Sequence, residues 1–340
     1  MRAAVYHGRL NVRVEELPKP RPGPGEFLMK VMACGICGTD VLEWYRDPQA
    51  PRVLGHEAAG VVEEVGEGTE GVRVGDRVFV SHHVPCGTCR YCTRGHETAC
   101  ETLHTTNYDP GGFSEYVRVP RINVERGTYH LPPELSFEEA TFIEPLGCVV
   151  RGQRLAGVGE EDTVLILGSG VSGLLHLQLA KLRGADTVLV SDVQDYRLEA
   201  AKRFGADFAL RAGENLPERV EEVLGRRADR VIVCTGAPSA AEQALECVDR
   251  GGTVLLFAVP PPGVPLPLRP AEIWRDEVRV MTSYGAAPGD LEKALDLLRR
   301  GRMRVKEMIT HRLGLGEIAL GFRLVAEAGE SLKVVVEPQR

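Results

Sequence analysis

Two domains of different construction are expected from this 340-residue chain: a β-rich, barrel-like domain, and an α/β domain built on a doubly wound parallel sheet. Three observations carry the expectation. The first third alternates short β-rich runs with glycine and proline turns, without long helices between them. Near residue 150 the pattern changes to alternating strands and helices. A glycine-rich turn, Gly168-Ser-Gly170-Val171-Ser-Gly173, stands between the first strand and the first helix of that second part.

In chain order, strands are expected at Arg2–Tyr6, Val12–Glu16, Glu26–Ala33, Ala58–Val65, Arg77–Val80 and Ser114–Val119. Pro18, Pro20, Pro22 and Pro24 mark an extended, exposed connection. Thr163–Leu167 reads as a buried strand, followed by a helix over about 172–183. Strand Thr187–Ser191, helix Tyr196–Phe204, strand Arg230–Cys234, helix Ser239–Val248 and strand Thr253–Ala258 continue the alternation. Helices at Leu291–Arg300 and Ile318–Ala328 precede a last strand, Leu332–Glu337, which is expected to return to the first domain. The domains are therefore drawn as 1–149 with 285–340, and 150–284.

A composition of 43% hydrophobic and 26% charged residues is that of a soluble globular protein. No uninterrupted apolar run reaches the roughly 18 residues of a membrane span. Met1-Arg-Ala-Ala-Val-Tyr-His-Gly lacks the apolar stretch of a secretory signal. A net charge of −7, spread along the chain, argues against a nucleic-acid-binding surface. Nine cysteines without an export signal point to reduced thiols in a cytoplasm, several of them on metal. Cys148, Cys234 and Cys247 lie among apolar neighbours and read as small buried hydrophobes.

Cys86, Cys89, Cys92 and Cys100 fall within fifteen positions, with Gly87 and Gly95 to turn the backbone. A lobe of this kind, over about 82–104, can set four thiolates at the corners of a tetrahedron, as a closed structural zinc site requires. In the glycine turn, Gly168 makes the bend, Gly170 lets the backbone approach a pyrophosphate and Gly173 allows close helix packing. The phosphates would sit at the helix N-terminus, where unpaired N–H groups favour anions. Asp192 ends the next strand at the spacing of a ribose-binding acid, which predicts NAD rather than NADP. Arg197 is the nearby cation able to accommodate a 2′-phosphate. A second constellation gathers Cys34, Cys37, Thr39 and Asp40 in one short run, His56 and Glu57 in the next, and Glu144 just before the change of pattern. Thiolate, imidazole and carboxylate make a mixed ligand set that suits a catalytic zinc with one open position.

Gly-Ile-Cys37-Gly-Thr39-Asp40, Gly55-His56-Glu57 with Gly60 and Gly66, Gly75-Asp-Arg-Val78, the four-cysteine lobe and the glycine turn follow one another in an order that resembles the zinc-containing medium-chain alcohol and polyol dehydrogenases. The resemblance covers essentially the whole chain, and Glu144-Pro-Leu resembles the sorbitol and threonine dehydrogenase branch. It implies a GroES-like catalytic domain, a Rossmann coenzyme domain, two zinc ions per subunit, NAD and a homodimer or homotetramer. It further implies that Cys37 and His56 ligate the catalytic zinc with Glu144 as third ligand. Glu57 would exchange on and off the metal or stand just behind it, and Asp40 would orient His56. Thr39 would hydrogen-bond the substrate oxygen and start a proton relay, and Lys333 would contact the cofactor phosphates. Cys34 is left to packing.

Two departures qualify the likeness. Leu42 stands where many relatives carry a relay histidine, leaving water, Glu43 or Tyr45 to end the relay. Ser283-Tyr284 replaces the Arg-Tyr pair of polyol dehydrogenases, which weakens sorbitol as a substrate. The expected reaction is reversible oxidation of a secondary alcohol or polyol, with a threonine 3-dehydrogenase-like or sugar dehydrogenase as the alternative. His82, Trp44 and the loop His104–Asp109 are candidate pocket walls. A non-catalytic zinc protein is the reading from another class, opposed by the acidic charge, the mixed ligand set and Asp192.

Overall fold

The computed structural model describes residues 1–213 and 215–340. The chain divides into one unit made of Met1–Gly147 and Ala286–Arg340, and a second made of Cys148–Gly285. The strands are β1 (Arg2–Tyr6), β2 (Val12–Glu16), β3 (Phe27–Gly35), β4 (Arg52–Val53), β5 (Glu57–Val65), β6 (Arg77–Val80), β7 (Tyr116–Val119), β8 (Thr128–His130), β9 (Thr163–Leu167), β10 (Thr187–Asp192), β11 (Phe208–Arg211), β12 (Ala228–Val233), β13 (Val248–Leu256), β14 (Arg279–Thr282), β15 (Ile309–Gly314) and β16 (Lys333–Glu337).

The first unit holds two sheets. A small one has the order β2-β1-β4, and a larger one runs β15-β16-β3-β5-β6-β8 with β7 paired to β3. Its core gathers Phe27, Met29, Val31, Val78, Phe113, Phe322, Val334 and Val336, all almost fully buried. The last strand, β16, pairs antiparallel with β3, setting Val335 opposite Gly35. That pairing puts residue 333 near residues 35–37. The run from β4 into β5 places His56 and Glu57 at the start of a long strand paired to the end of β3, with Glu57 opposite Gly35.

The second unit is a six-stranded sheet ordered β11-β10-β9-β12-β13-β14, with every pairing parallel. The α/β class expected from the alternating pattern is the one observed. All five residues of β9 are buried, as expected for a central strand covered on both faces. The strand order reverses on either side of β9, and the glycine turn leaves its C-terminal end at that switch point. Among the described residues no helix is long and apolar enough to cross a membrane.

Candidate active site

Cys37 caps a short 3-10 helix, Gly38–Val41, and this turn builds one wall of the site. The thiol accepts from the amide of Thr39 at 3.5 Å and from its hydroxyl at 3.3 Å, while the Cys37 amide donates to Asp40 Oδ2 at 3.1 Å. Asp40 is fully buried, with Oδ1 3.4 Å from His56 Nδ1 and 3.2 Å from Arg46 Nη2. Burial opposes ionisation of Asp40, yet the charge and hydrogen bond of His56 and the charge of Arg46 outweigh it and hold the carboxyl below its ordinary range.

Ligand atoms of Cys37, His56 and Glu57 lie within 4.8 Å of one another. Glu57 is 1% exposed; Lys333 donates to its Oε2, and its Oε1 is buried with no hydrogen-bond partner among the described residues. A carboxylate oxygen buried without a donor is costly, and a cation beside a thiol and an imidazole would satisfy it. The residues present therefore fit a metal ion. Glu144, the third ligand implied by resemblance, is not in this group. It lies in the first turn of the helix Ile143–Ala156, near enough for its charge to act on Lys333 and Tyr108.

Lys333 departs from the expectation of a phosphate contact. It is 1% exposed in the first unit, where its ammonium is held by Glu57 and by the carbonyl of Ile36 at 3.3 Å. Burying an ammonium requires a counter-charge, and Glu57 is the one that the β16–β3 and β3–β5 pairings together bring to it. Cys34 is fully buried and packs within the core cluster. The His82 ring lies 4.9 Å from that of His56 and 3.8 Å from that of His83. Burial holds His82 well below the ordinary imidazole range and His83 down at about 3, so both rings are neutral. Tyr108, from the third candidate wall, is buried and donates to the Gly55 carbonyl at 3.4 Å, whereas Trp44 is 37% exposed. Arg46 went unnoticed in the sequence; its only signal is a spacing of seven residues from Thr39, two helical turns.

The four thiols of the lobe also converge within 4.8 Å, and no disulfide joins any of the nine cysteines. The amide and hydroxyl of Thr88 and the amide of Cys89 donate to Cys86 Sγ and hold its thiol down at about 5. Donors aimed at sulfur favour the thiolate, the form that binds metal.

In the second unit Gly168 adopts φ +96°, a conformation that suits glycine. A Cβ on Gly173 would lie 1.9 Å from the Gly168 carbonyl oxygen, so the helix packs on the turn only because residue 173 has no side chain. Gly170 caps the helix Val171–Leu182. Asp192 is buried and tied to the turn: Oδ2 accepts from the amide of Ser169 at 2.7 Å and its hydroxyl at 3.1 Å, and Oδ1 from the Gln194 amide at 3.0 Å. The Arg197 guanidinium would lie 3.7 Å from a Cβ on Gly170, and its buried Nε has no partner among the described residues.

Two family models match the sequence: an alcohol dehydrogenase GroES-like domain over residues 23–128 and a zinc-binding dehydrogenase domain over 172–300. The chain is 38% identical to an L-threonine 3-dehydrogenase of Pyrococcus abyssi, covering 94% of this chain and 93% of that one. It is 32% identical to a sorbitol dehydrogenase of Gallus gallus, over 98% and 96% of the two chains. The solved alcohol dehydrogenase TADH of Thermus sp. ATN1 superposes with a TM-score of 0.85 at 32% identity, over 99% of each chain.

Proposed function

This chain belongs to the zinc-containing medium-chain alcohol dehydrogenase family, and from that premise we propose that it reversibly oxidises a secondary alcohol or polyol to the ketone or aldehyde with NAD. The observation that carries the reading is the buried Oε1 of Glu57, without a donor among the described residues, beside Cys37 and His56, with the Thr39 hydroxyl on the Cys37 thiol. When bound, zinc supplies Lewis acidity at the substrate oxygen and NAD supplies the hydride acceptor.

The residues of the chain do the rest. Cys37 and His56 hold the metal, with Glu57 or Glu144 as the carboxylate ligand. Asp40 fixes the tautomer and angle of His56 through its bond to Nδ1. Thr39 accepts the substrate hydroxyl proton and gives up its own, which points at Cys37 Sγ in this structure, to water, since Leu42 carries no relay group. Cys86, Cys89, Cys92 and Cys100 hold a second, structural zinc, giving two ions per chain. In the second unit Gly168, Gly170, Val171 and Gly173 frame the pyrophosphate, and Asp192 favours ribose hydroxyls over a 2′-phosphate. Arg197 is the cation that would have to be turned to phosphate in a protein that uses NADP.

A threonine 3-dehydrogenase-like reaction is the second reading. It is favoured by the higher identity to the Pyrococcus relative than to sorbitol dehydrogenase and by Ser283 in place of a polyol-reading arginine. Trp274 is 81% exposed, Leu268 is 47% exposed, and β14 forms a sheet edge, which supports self-association of the second unit into a dimer or tetramer. Nine cysteines without a disulfide suit a reducing, cytoplasmic compartment.

Reduction of NAD and, separately, NADP by zinc-loaded protein, across simple alcohols, polyols, sugars and threonine, tests the proposal. Turnover of one class with NAD, lost on chelation and regained with zinc, supports it. No turnover across the panel with both metal sites filled would overturn it.

A further inference from the structure

We propose that Arg46 is a positioning residue that locks the reactive threonine and the histidine-orienting aspartate into one unit, an inference that rests on the role given to Thr39 above. The guanidinium makes three contacts. Nε donates to the Thr39 carbonyl at 3.1 Å, and Nη2 donates both to the Thr39 hydroxyl oxygen at 3.3 Å and to Asp40 Oδ1 at 3.2 Å. The helical turn Glu43–Arg46 brings residue 46 back over residues 39 and 40. The side chain is only 11% exposed, and its guanidinium carbon stands 4.7 Å from the centre of the Tyr45 ring, which covers it.

Each contact has a chemical consequence. Asp40 is fully buried, and its charge is met by the ring of His56 on one side and by Arg46 on the other. Without Arg46 the carboxylate would keep one cationic partner at most, and none when His56 is a neutral ligand. The aim of His56 would then loosen. Thr39 has one hydroxyl proton and two lone pairs. With one lone pair held by Arg46, the other is left for the substrate hydroxyl. In the oxidative direction the substrate O–H bond breaks, a new O–H bond forms on Oγ1, and the original threonine proton, which points at Cys37 Sγ in this structure, leaves to water once the hydroxyl turns from that sulfur. A guanidinium offers donors and no acceptor, so Arg46 orients this exchange and takes no part in it.

The test compares wild type, R46A and R46K. R46A is expected to lower kcat by about 10–100-fold, the usual cost of losing a partner just outside a metal's ligands, while KM moves less than threefold. R46K should fall between the two, because an ammonium can serve only part of the fork. Free guanidinium at non-denaturing concentration should restore R46A and leave wild type unchanged. A kcat within twofold of wild type in R46A would overturn the proposal, as would a loss that guanidinium does not repair in a protein that melts normally. If R46A fails to fold, R46K carries the test, and wild-type kcat in that variant counts against the fork. Should the wild-type protein oxidise no alcohol, the functional reading fails on its own. The Arg46 inference is then read from cobalt(II) uptake, with C37S marking the contribution of the four-cysteine lobe. Weaker uptake in R46A, restored by guanidinium, supports it; unchanged uptake overturns it.

Discussion

Lys333 donates to Oε2 of Glu57 inside the first unit, with both side chains 1% exposed, while Oε1 of the same carboxylate meets no donor among the described residues. Burial alone would lower the affinity of this amine for its proton; the charge of Glu57, then that of Cys37, more than reverses that and keeps the ammonium. The pair exists because residue 35 is glycine: a Cβ there would lie 2.0 Å from Glu57 Oε2 and 2.6 Å from Lys333 Cε.

Removing one partner of such a pair strands the other. K333M is therefore expected to cost about 3–5 kcal/mol, and the double variant K333M/E57Q less than K333M alone. Urea unfolding of the two variants measures the difference. Equal losses in both would mean that the carboxylate is not left uncompensated.

The four-cysteine lobe gives a prediction about stoichiometry. C100S should bind one zinc fewer per chain than wild type and should be cut by protease within residues 86–100, which lean on the metal for order. Metal analysis of the purified proteins, with limited proteolysis, is the check. An unchanged zinc count in C100S would remove the lobe as a metal site.

Much of this was legible in the sequence, for physical reasons that differ from one element to the next. β9 and the glycine turn stood out because a strand buried on both faces leaves an unbroken apolar run, and the turn tolerates only glycine at 168 and 173. Strands β11 and β14 left no comparable trace. β14 has no buried residue and β11 has one, so neither alternates. β15 was hidden for a similar reason, since His311 and Arg312 interrupt it. The lobe was legible because its four ligands are local in sequence. The Lys333–Glu57 pair joins residues 276 positions apart, and no local pattern announces it. Arg46 was missed because a guanidinium in a charged, aromatic turn looks like a solvated side chain until its three acceptors are seen together.

Asp192 carries the next prediction. Its two oxygens accept from Ser169 and Gln194, so the acid that would read the ribose also holds the glycine turn. D192N replaces an acceptor by a donor facing those donors. NADH binding, followed by fluorescence quenching, should weaken by about tenfold, or roughly 1.4 kcal/mol, and the preference for NADH over NADPH should shrink. G173A should abolish binding of both nucleotides, because its new methyl group would collide with the Gly168 carbonyl. Undiminished NADH affinity in D192N would take Asp192 out of cofactor recognition.

The last prediction concerns acid stability and lies in the second unit. Gln153 Nε2 donates to the His176 carbonyl at 2.7 Å, which fixes that atom as nitrogen, and it lies 3.3 Å from His176 Nδ1. Nδ1 must then accept, so the neutral ring carries its proton on Nε2, which is buried without a partner among the described residues. Burial, reinforced by the charge of Arg183, holds this imidazole down at about 3 from an ordinary 6.5. Between those values the unfolded chain binds a proton that the folded chain refuses. Stability contributed by the neutral ring is therefore complete above about pH 6.5 and is lost as the pH falls toward 3. At pH 4.5 the loss relative to pH 7.5 amounts to about 2–3 kcal/mol. H176Q keeps a polar side chain in the site but cannot titrate, so its urea-unfolding free energy should fall less than that of wild type over the same interval. Parallel declines in the two proteins would show that His176 does not govern the acid limb.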